Sequence, residues 1–219
     1  MKVFENTATL PLISSLASLK YLQKNITESE IVDLLSDIKH RVFPRPFERL
    51  SMLRERKDLV GVEIGVAGGE HALSLLKILD IKKLYLIDPY ELYTEYQEGK
   101  LHYGVDQLRL SDTEALAREK LAEYGDRIQW VRKLSSEALP EILEKLDFVY
   151  IDGNHEENFV IEDIENYYPL LSSNGVIGGH DYYNGFQREH DGVVNAVTMF
   201  LSSKSLQLRV ELPDWWIED

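Results

Sequence analysis

The 219-residue sequence carries 38 Asp+Glu against 24 Lys+Arg, a formal net charge of -14. It therefore lacks the basic face with which a nucleic-acid binder neutralises phosphates. Zero cysteines exclude disulfides, thiolate metal sites and cysteine nucleophiles, and no run of about 18 apolar residues is present to span a membrane. With 44% hydrophobic residues, the length suits one globular domain plus an appended helical segment.

In chain order, residues 1–56 form the helical segment. The apolar stretch 10–16 is short and Lys2 is its only early positive charge, so no signal peptide is expected and a cytoplasmic protein is the simplest fit. Thr27 with Glu30 makes a capping-box pattern, and Ile31, Leu34, Leu35 and Ile38 follow at helical spacing. Pro44 and Pro46 break that helix; Phe47, Leu50 and Leu53 suggest a short successor. The segment shows no chemistry of its own and is expected to cap or cover a substrate site.

From residue 57 to 219 the texture changes to short apolar runs alternating with amphipathic stretches. Strands are expected at 59–64, 83–88, 128–132, 148–152 and 175–179, with helices at 70–79, 112–124, 137–145, 157–171 and 191–201. Ser111 or Asp112 is the expected cap of the second of these helices. Five strand–helix units predict an α/β fold, a doubly wound parallel sheet covered on both faces. The last two strands, 206–211 and 215–217, are too close for a parallel crossover and predict an antiparallel hairpin. The connection 89–110 is too long for an ordinary loop and carries Tyr90, Tyr93, Tyr96 and Tyr103, so its 90–110 portion is expected to be a lid-like insertion or an ordered surface loop.

Ligands of such sheets bind beyond the C-terminal strand ends, near the first strand. That strand ends in Glu63 and opens into Gly65, Val66, Ala67, Gly68 and Gly69, where glycine permits positive φ and close backbone approach. Ala67 stands where a dinucleotide G-x-G-x-x-G motif would have its second glycine. Asp88 ends the second strand, placed to accept hydrogen bonds from two ribose hydroxyls, although it also suits a turn before Pro89. Ser135 and Ser136 follow the third strand, where they would meet an adenine edge or, more simply, cap the next helix.

This pattern resembles the class I S-adenosylmethionine-dependent methyltransferases. Their acid-plus-glycine motif matches Val62 to Gly69, their ribose acid matches Asp88, and their reversed C-terminal hairpin matches the last strand pair. The resemblance covers about residues 57–218. It implies a Rossmann-like seven-stranded sheet, order 3-2-1-4-5-7-6 with strand 7 antiparallel, and S-adenosylmethionine held by Glu63, Gly65, Ala67, Gly69, Asp88, Ser135 and Ser136.

A second group lies further along. The run 147–155 brings Asp152 to the same sheet edge, Gly153 turns the chain, and His155 follows as the next helix begins. The fifth strand ends in Gly179, His180 and Asp181 at that edge. Oxygen-rich clusters suit a hard cation such as Mg²⁺, which would lower the pKa of a substrate hydroxyl. A histidine there is placed to remove the proton. Each residue also has a plain structural reading: Asp152 and Asp181 as turn formers, His155 at a helix start, His180 packed into the fold.

The segments 151–155 and 179–182 resemble a subgroup of metal-dependent O-methyltransferases that includes macrolide and aminocoumarin sugar O-methyltransferases. What that resemblance implies is Asp152 and Asp181 as metal ligands, with Asp152 also catalytic, and His155 as general base. His180 stands where relatives carry an acid, as an additional candidate ligand. The run 192–197 with Phe200 also resembles the subgroup, as helix packing.

The expected function is O-methylation of a small polar molecule, with S-adenosylmethionine and a divalent cation as cofactors and neither nucleic acid nor membrane as partner. A homo-oligomer is left open. The rivals are a nicotinamide-dependent oxidoreductase on the same kind of sheet and a non-catalytic nucleotide-binding protein.

Overall fold

A computed structural model of the chain describes residues 45–92, 107–182, 191–202 and 204–218. They fall within one compact unit, Arg45–Asp219. The Thr27 cap and Tyr93, Tyr96 and Tyr103 lie outside the described residues.

The sheet has seven strands: β1 Leu59–Ile64, β2 Ile81–Ile87, β3 Ile128–Val131, β4 Leu146–Ile151, β5 Leu171–Gly179, β6 Gln207–Glu211 and β7 Asp214–Glu218. Their order is β3-β2-β1-β4-β5-β7-β6, with β7 antiparallel to both neighbours and the remaining pairs parallel. This is the expected doubly wound arrangement. Helices α1 Ser51–Arg54, α2 Glu70–Ile78, α3 Gln107–Leu121, α4 Ser135–Ala138, α5 Glu157–Tyr167 and α6 Asp191–Leu201 join it. None of the described helices is long and apolar enough to cross a membrane.

Side chains alternate across a strand, so each central strand feeds two cores. Val62, Ile64, Val149, Ile151, Trp215 and Ile217 pack on one face with Val160 and Ile164 of α5 and Val193, Ala196, Val197 and Phe200 of α6. Phe148, Tyr150, Leu84, Leu86 and Trp216 pack on the other with Ala72, Leu75 and Leu76 of α2. Both faces of β1 and β4 are covered, which is why these strands read as nearly unbroken apolar runs.

Several boundaries differ from expectation. Helix α3 starts at Gln107, so Ser111 and Asp112 are internal and cap nothing; the Ser111 hydroxyl donates back to the Gln107 carbonyl. The helix expected over 137–145 is the four-residue α4 followed by a 3-10 turn through Pro140. Strand β5 begins at Leu171, four residues early, because its partly exposed start is polar. Phe47 and Leu53 are fully buried in the second core, so residues 45–56 pack as part of this unit.

Candidate active site

The loop between β1 and α2 is built by backbone geometry. Gly65 has φ of +83°, and a Cβ there would lie 2.1 Å from the Asp152 carbonyl oxygen, so glycine is what lets the β1 and β4 ends meet. The Asp152 amide donates to the Ile64 carbonyl (2.8 Å) at the same junction. Asp88 at the end of β2 ties the loop down. One carboxylate oxygen accepts from the Val66 and Ala67 amides (3.0 Å each), and the other accepts from the Tyr90 amide (2.9 Å). The Tyr90 hydroxyl completes the ring by donating to the Ala67 carbonyl (2.8 Å). Burial pushes the Asp88 carboxyl above its ordinary value, opposed by these amides.

Beside the loop lies a cavity of about 300 Å³. Of the residues expected to hold a nucleotide, Gly65, Ala67, Asp88, Ser135 and Ser136 line it, and Asp152 lines it too. Two do not. Glu63 is 1% exposed, its carboxylate 3.2 Å from His71 Nδ1 behind the loop, and desolvation raises it well above the ordinary range. Gly69 is the N-cap of α2 at φ +75°, and a Cβ there would press on Ala117 and Leu121 of α3. The Ser135 hydroxyl does not cap α4 but donates to buried Asp163.

At the other side of Asp152 stands the acid–histidine edge. His155 Nε2 is 2.8 Å from Asp181 Oδ2 and 3.8 Å from Asp152 Oδ1. His180 Nδ1 is 2.9 Å from Asp181 Oδ1 and 3.8 Å from Asp152 Oδ1. Asp181 adopts φ of +60°, a left-handed conformation uncommon for a side-chain-bearing residue, though aspartate is among the residues that enter it. Burial works against charge on His155, yet the Asp152 and Asp181 carboxylates outweigh it and push the imidazole up to about 9. Burial likewise opposes the Asp181 charge, and the two histidines hold its carboxyl far below the usual range.

Residues 62–182 match the family model for a methyltransferase domain. The chain belongs to the methyltransferase-domain family. Its seven-stranded sheet with β7 reversed is the class I, S-adenosylmethionine-dependent form of that family, which removes the grounds for a nicotinamide-dependent oxidoreductase. A relative in Acanthamoeba polyphaga mimivirus, uncharacterized protein R132, is 30% identical over 157 residues, covering 66% of this chain. The match spans 64% of the relative's own length. Three solved structures share the fold. The calicheamicin methyltransferase CalS11 is 14% identical with a TM-score of 0.59, covering 100% of this chain and 94% of that one. A candidate caffeoyl-CoA O-methyltransferase from Staphylococcus aureus is 15% identical with a TM-score of 0.58, covering 94% and 98%. The O-methyltransferase NovP is 17% identical with a TM-score of 0.53, covering 73% and 71%.

Within this domain, one atom each from Asp152, His155 and Asp181 lie within 4.8 Å of one another, a spacing and an N/O donor set that fit a divalent cation. His180 is not in that group: its Nδ1 faces the other Asp181 oxygen. Residues outside the expected set also back the site. Arg45 donates to Asp152 Oδ2 (2.8 Å) and to the Tyr150 hydroxyl (2.8 Å). Glu48 and Glu63 flank His71 at 3.3 and 3.2 Å. The Arg45 contacts span 105 and 107 residues, and no local pattern announces them.

Asp163 gives a pH-dependent test of the cofactor wall. It is 3% exposed, and burial pushes its carboxyl from the ordinary 3.8 up to about 7, against the Ser135 hydrogen bond. A folded-state value above the unfolded one contributes stability below the unfolded value and loses it as pH rises through the folded value. Asp163→Asn removes that cost while keeping an acceptor for Ser135. Denaturant unfolding is expected to show the variant gaining about 2–3 kcal/mol on wild type between about pH 5 and about pH 8. An unchanged difference would show that Asp163 does not titrate in this way.

Proposed function

We propose that the chain transfers the methyl group of S-adenosylmethionine to a hydroxyl oxygen of a small polar molecule, such as a sugar or natural-product intermediate. The observation that carries this is Asp152, which lines the cofactor cavity and also belongs to the acid–histidine edge. Gly65, Ala67, Asp88, Ser135 and Ser136 hold the methyl donor, so its reactive end falls beside proton-accepting groups. Methyl transfer breaks the sulfonium–carbon bond and forms a carbon–oxygen bond; the hydroxyl proton must leave. The Asp181–His155 pair takes it, because the two carboxylates make that imidazole a strong base, and only its neutral form accepts. In-line alignment of oxygen and methyl carbon is then a positioning problem.

Asp152 and Asp181 are the residues that would hold a divalent cation, such as Mg²⁺, with the His155 imidazole beside them kept for the proton. Bound there, it would polarise the substrate hydroxyl and ease loss of its proton. The fold shared with the O-methyltransferase NovP and the calicheamicin methyltransferase CalS11 supports oxygen as the acceptor and a natural product as the class. The net charge of -14 disfavours a nucleic-acid acceptor, and the absence of cysteine suits a cytoplasmic enzyme.

The test supplies S-adenosylmethionine with a labelled methyl group and a pool of free sugars and hydroxylated glycosides. Label is expected in a methyl ether, with turnover falling about tenfold or more when a chelator removes divalent cations. Label on nitrogen or carbon would overturn the oxygen assignment, and turnover indifferent to the chelator would overturn the cation.

A further inference from the structure

Asp152 is reached from behind by a cation that the chain supplies itself. Arg45 has a side chain only 14% exposed, and its NH1 group spends its two hydrogens on two acceptors, Asp152 Oδ2 and the Tyr150 hydroxyl, each at 2.8 Å. Its partner Tyr150 and the backbone two residues after it are held by one carboxylate. Asp214, fully buried at the start of β7, accepts from the Tyr150 hydroxyl with Oδ1 (2.9 Å) and from the Phe47 amide with Oδ2 (3.0 Å). The Phe47 ring seats this segment on the sheet: it packs edge-on against Tyr150, in space that a Cβ on Gly178 would fill.

The consequence falls on Asp152. With Oδ2 occupied by a planar guanidinium, only Oδ1 faces His155 and His180. We propose that Arg45 is a positioning residue that pins Asp152 so that a single carboxylate oxygen is presented to the reacting edge, and whose charge restrains how tightly that edge holds a cation. The first half rests on geometry alone; the second rests on the cation reading of Asp152 and Asp181. Both bonds leave the single NH1 nitrogen, so a lysine ammonium, with three donors, can replace them in part. Arg45 lies outside the stretch matched by the methyltransferase-domain model, residues 62–182.

Crystal structures of full-length wild type, Arg45→Met and Arg45→Lys, paired with titration of Mn²⁺ read by paramagnetic resonance, test the proposal. In Arg45→Met the Asp152 carboxylate is expected to turn from its wild-type orientation, and Mn²⁺ to bind about tenfold tighter once the neighbouring positive charge is gone. Arg45→Lys is expected to restore part of both. An Asp152 carboxylate that stays in place in Arg45→Met overturns the positioning role. A turned carboxylate with no Mn²⁺ bound by any variant supports the positioning and overturns the cation reading instead. A turned carboxylate with unchanged Mn²⁺ affinity overturns only the restraint on cation binding. If Arg45→Met does not fold, Arg45→Gln gives the same readout.

Discussion

His155→Ala is expected to lower methyl transfer by about 100- to 10,000-fold, the range that a positioned general base contributes. Affinity for S-adenosylhomocysteine should stay at the wild-type level. The two expectations separate because of where His155 stands. It is paired with Asp181 at 2.8 Å, while the cavity wall passes through its neighbours Asp152, Gly153 and Asn154. Removing the imidazole deletes the proton acceptor without touching the loop from Gly65 to Gly69. Calorimetric titration with S-adenosylhomocysteine and a single-turnover assay measure the two effects apart. Wild-type turnover in the variant would remove His155 from the chemistry, and a matching loss of cofactor affinity would make it part of the binding wall.

Asp88→Ala has the converse signature: weak binding first, with slow turnover as a consequence. Two hydrogen bonds from ribose to an ionised carboxylate, at about 1.5 kcal/mol each, correspond to a loss of about 100-fold in affinity. The variant also releases the Val66, Ala67 and Tyr90 amides that the same side chain now holds, so the loop loses its tether to β2. Asp88→Asn keeps one oxygen for the loop amides and is expected to lose only about tenfold. Equal affinity in wild type and Asp88→Ala, measured with S-adenosylhomocysteine, would show that the ribose is bound elsewhere.

The parts of this molecule that could be read ahead of structure are those governed by local pattern. Strand β1 and helix α6 have the expected ends, because an apolar run and a 3.6-residue repeat are local signals. Helix α3 was misplaced at its start because it is largely polar, with Ala117 and Leu121 its buried residues, so its periodicity is faint. The same division holds at the site. Asp88, Asp152 and Asp181 were legible because strands of this sheet deliver their last residues to one edge. Ser135 reads as an adenine contact or a helix cap, yet the partner of its hydroxyl, Asp163, sits 28 positions away on α5. Glu63 matches a motif position, but His71, the second residue of α2, pairs with it behind the loop, and Glu48 takes the other ring nitrogen. Arg45 could not have been found, since its two partners lie 105 and 107 residues away.

The most direct measurement is a crystal structure of the chain grown with S-adenosylhomocysteine. The expected result is the nucleoside in the cavity beside Gly65 and Ala67, with both ribose hydroxyls on the Asp88 carboxylate and the sulfur end directed toward Asp152. A cavity left empty at saturating ligand, or a ribose bound away from Asp88, would contradict the assignment of this site as the methyl-donor pocket.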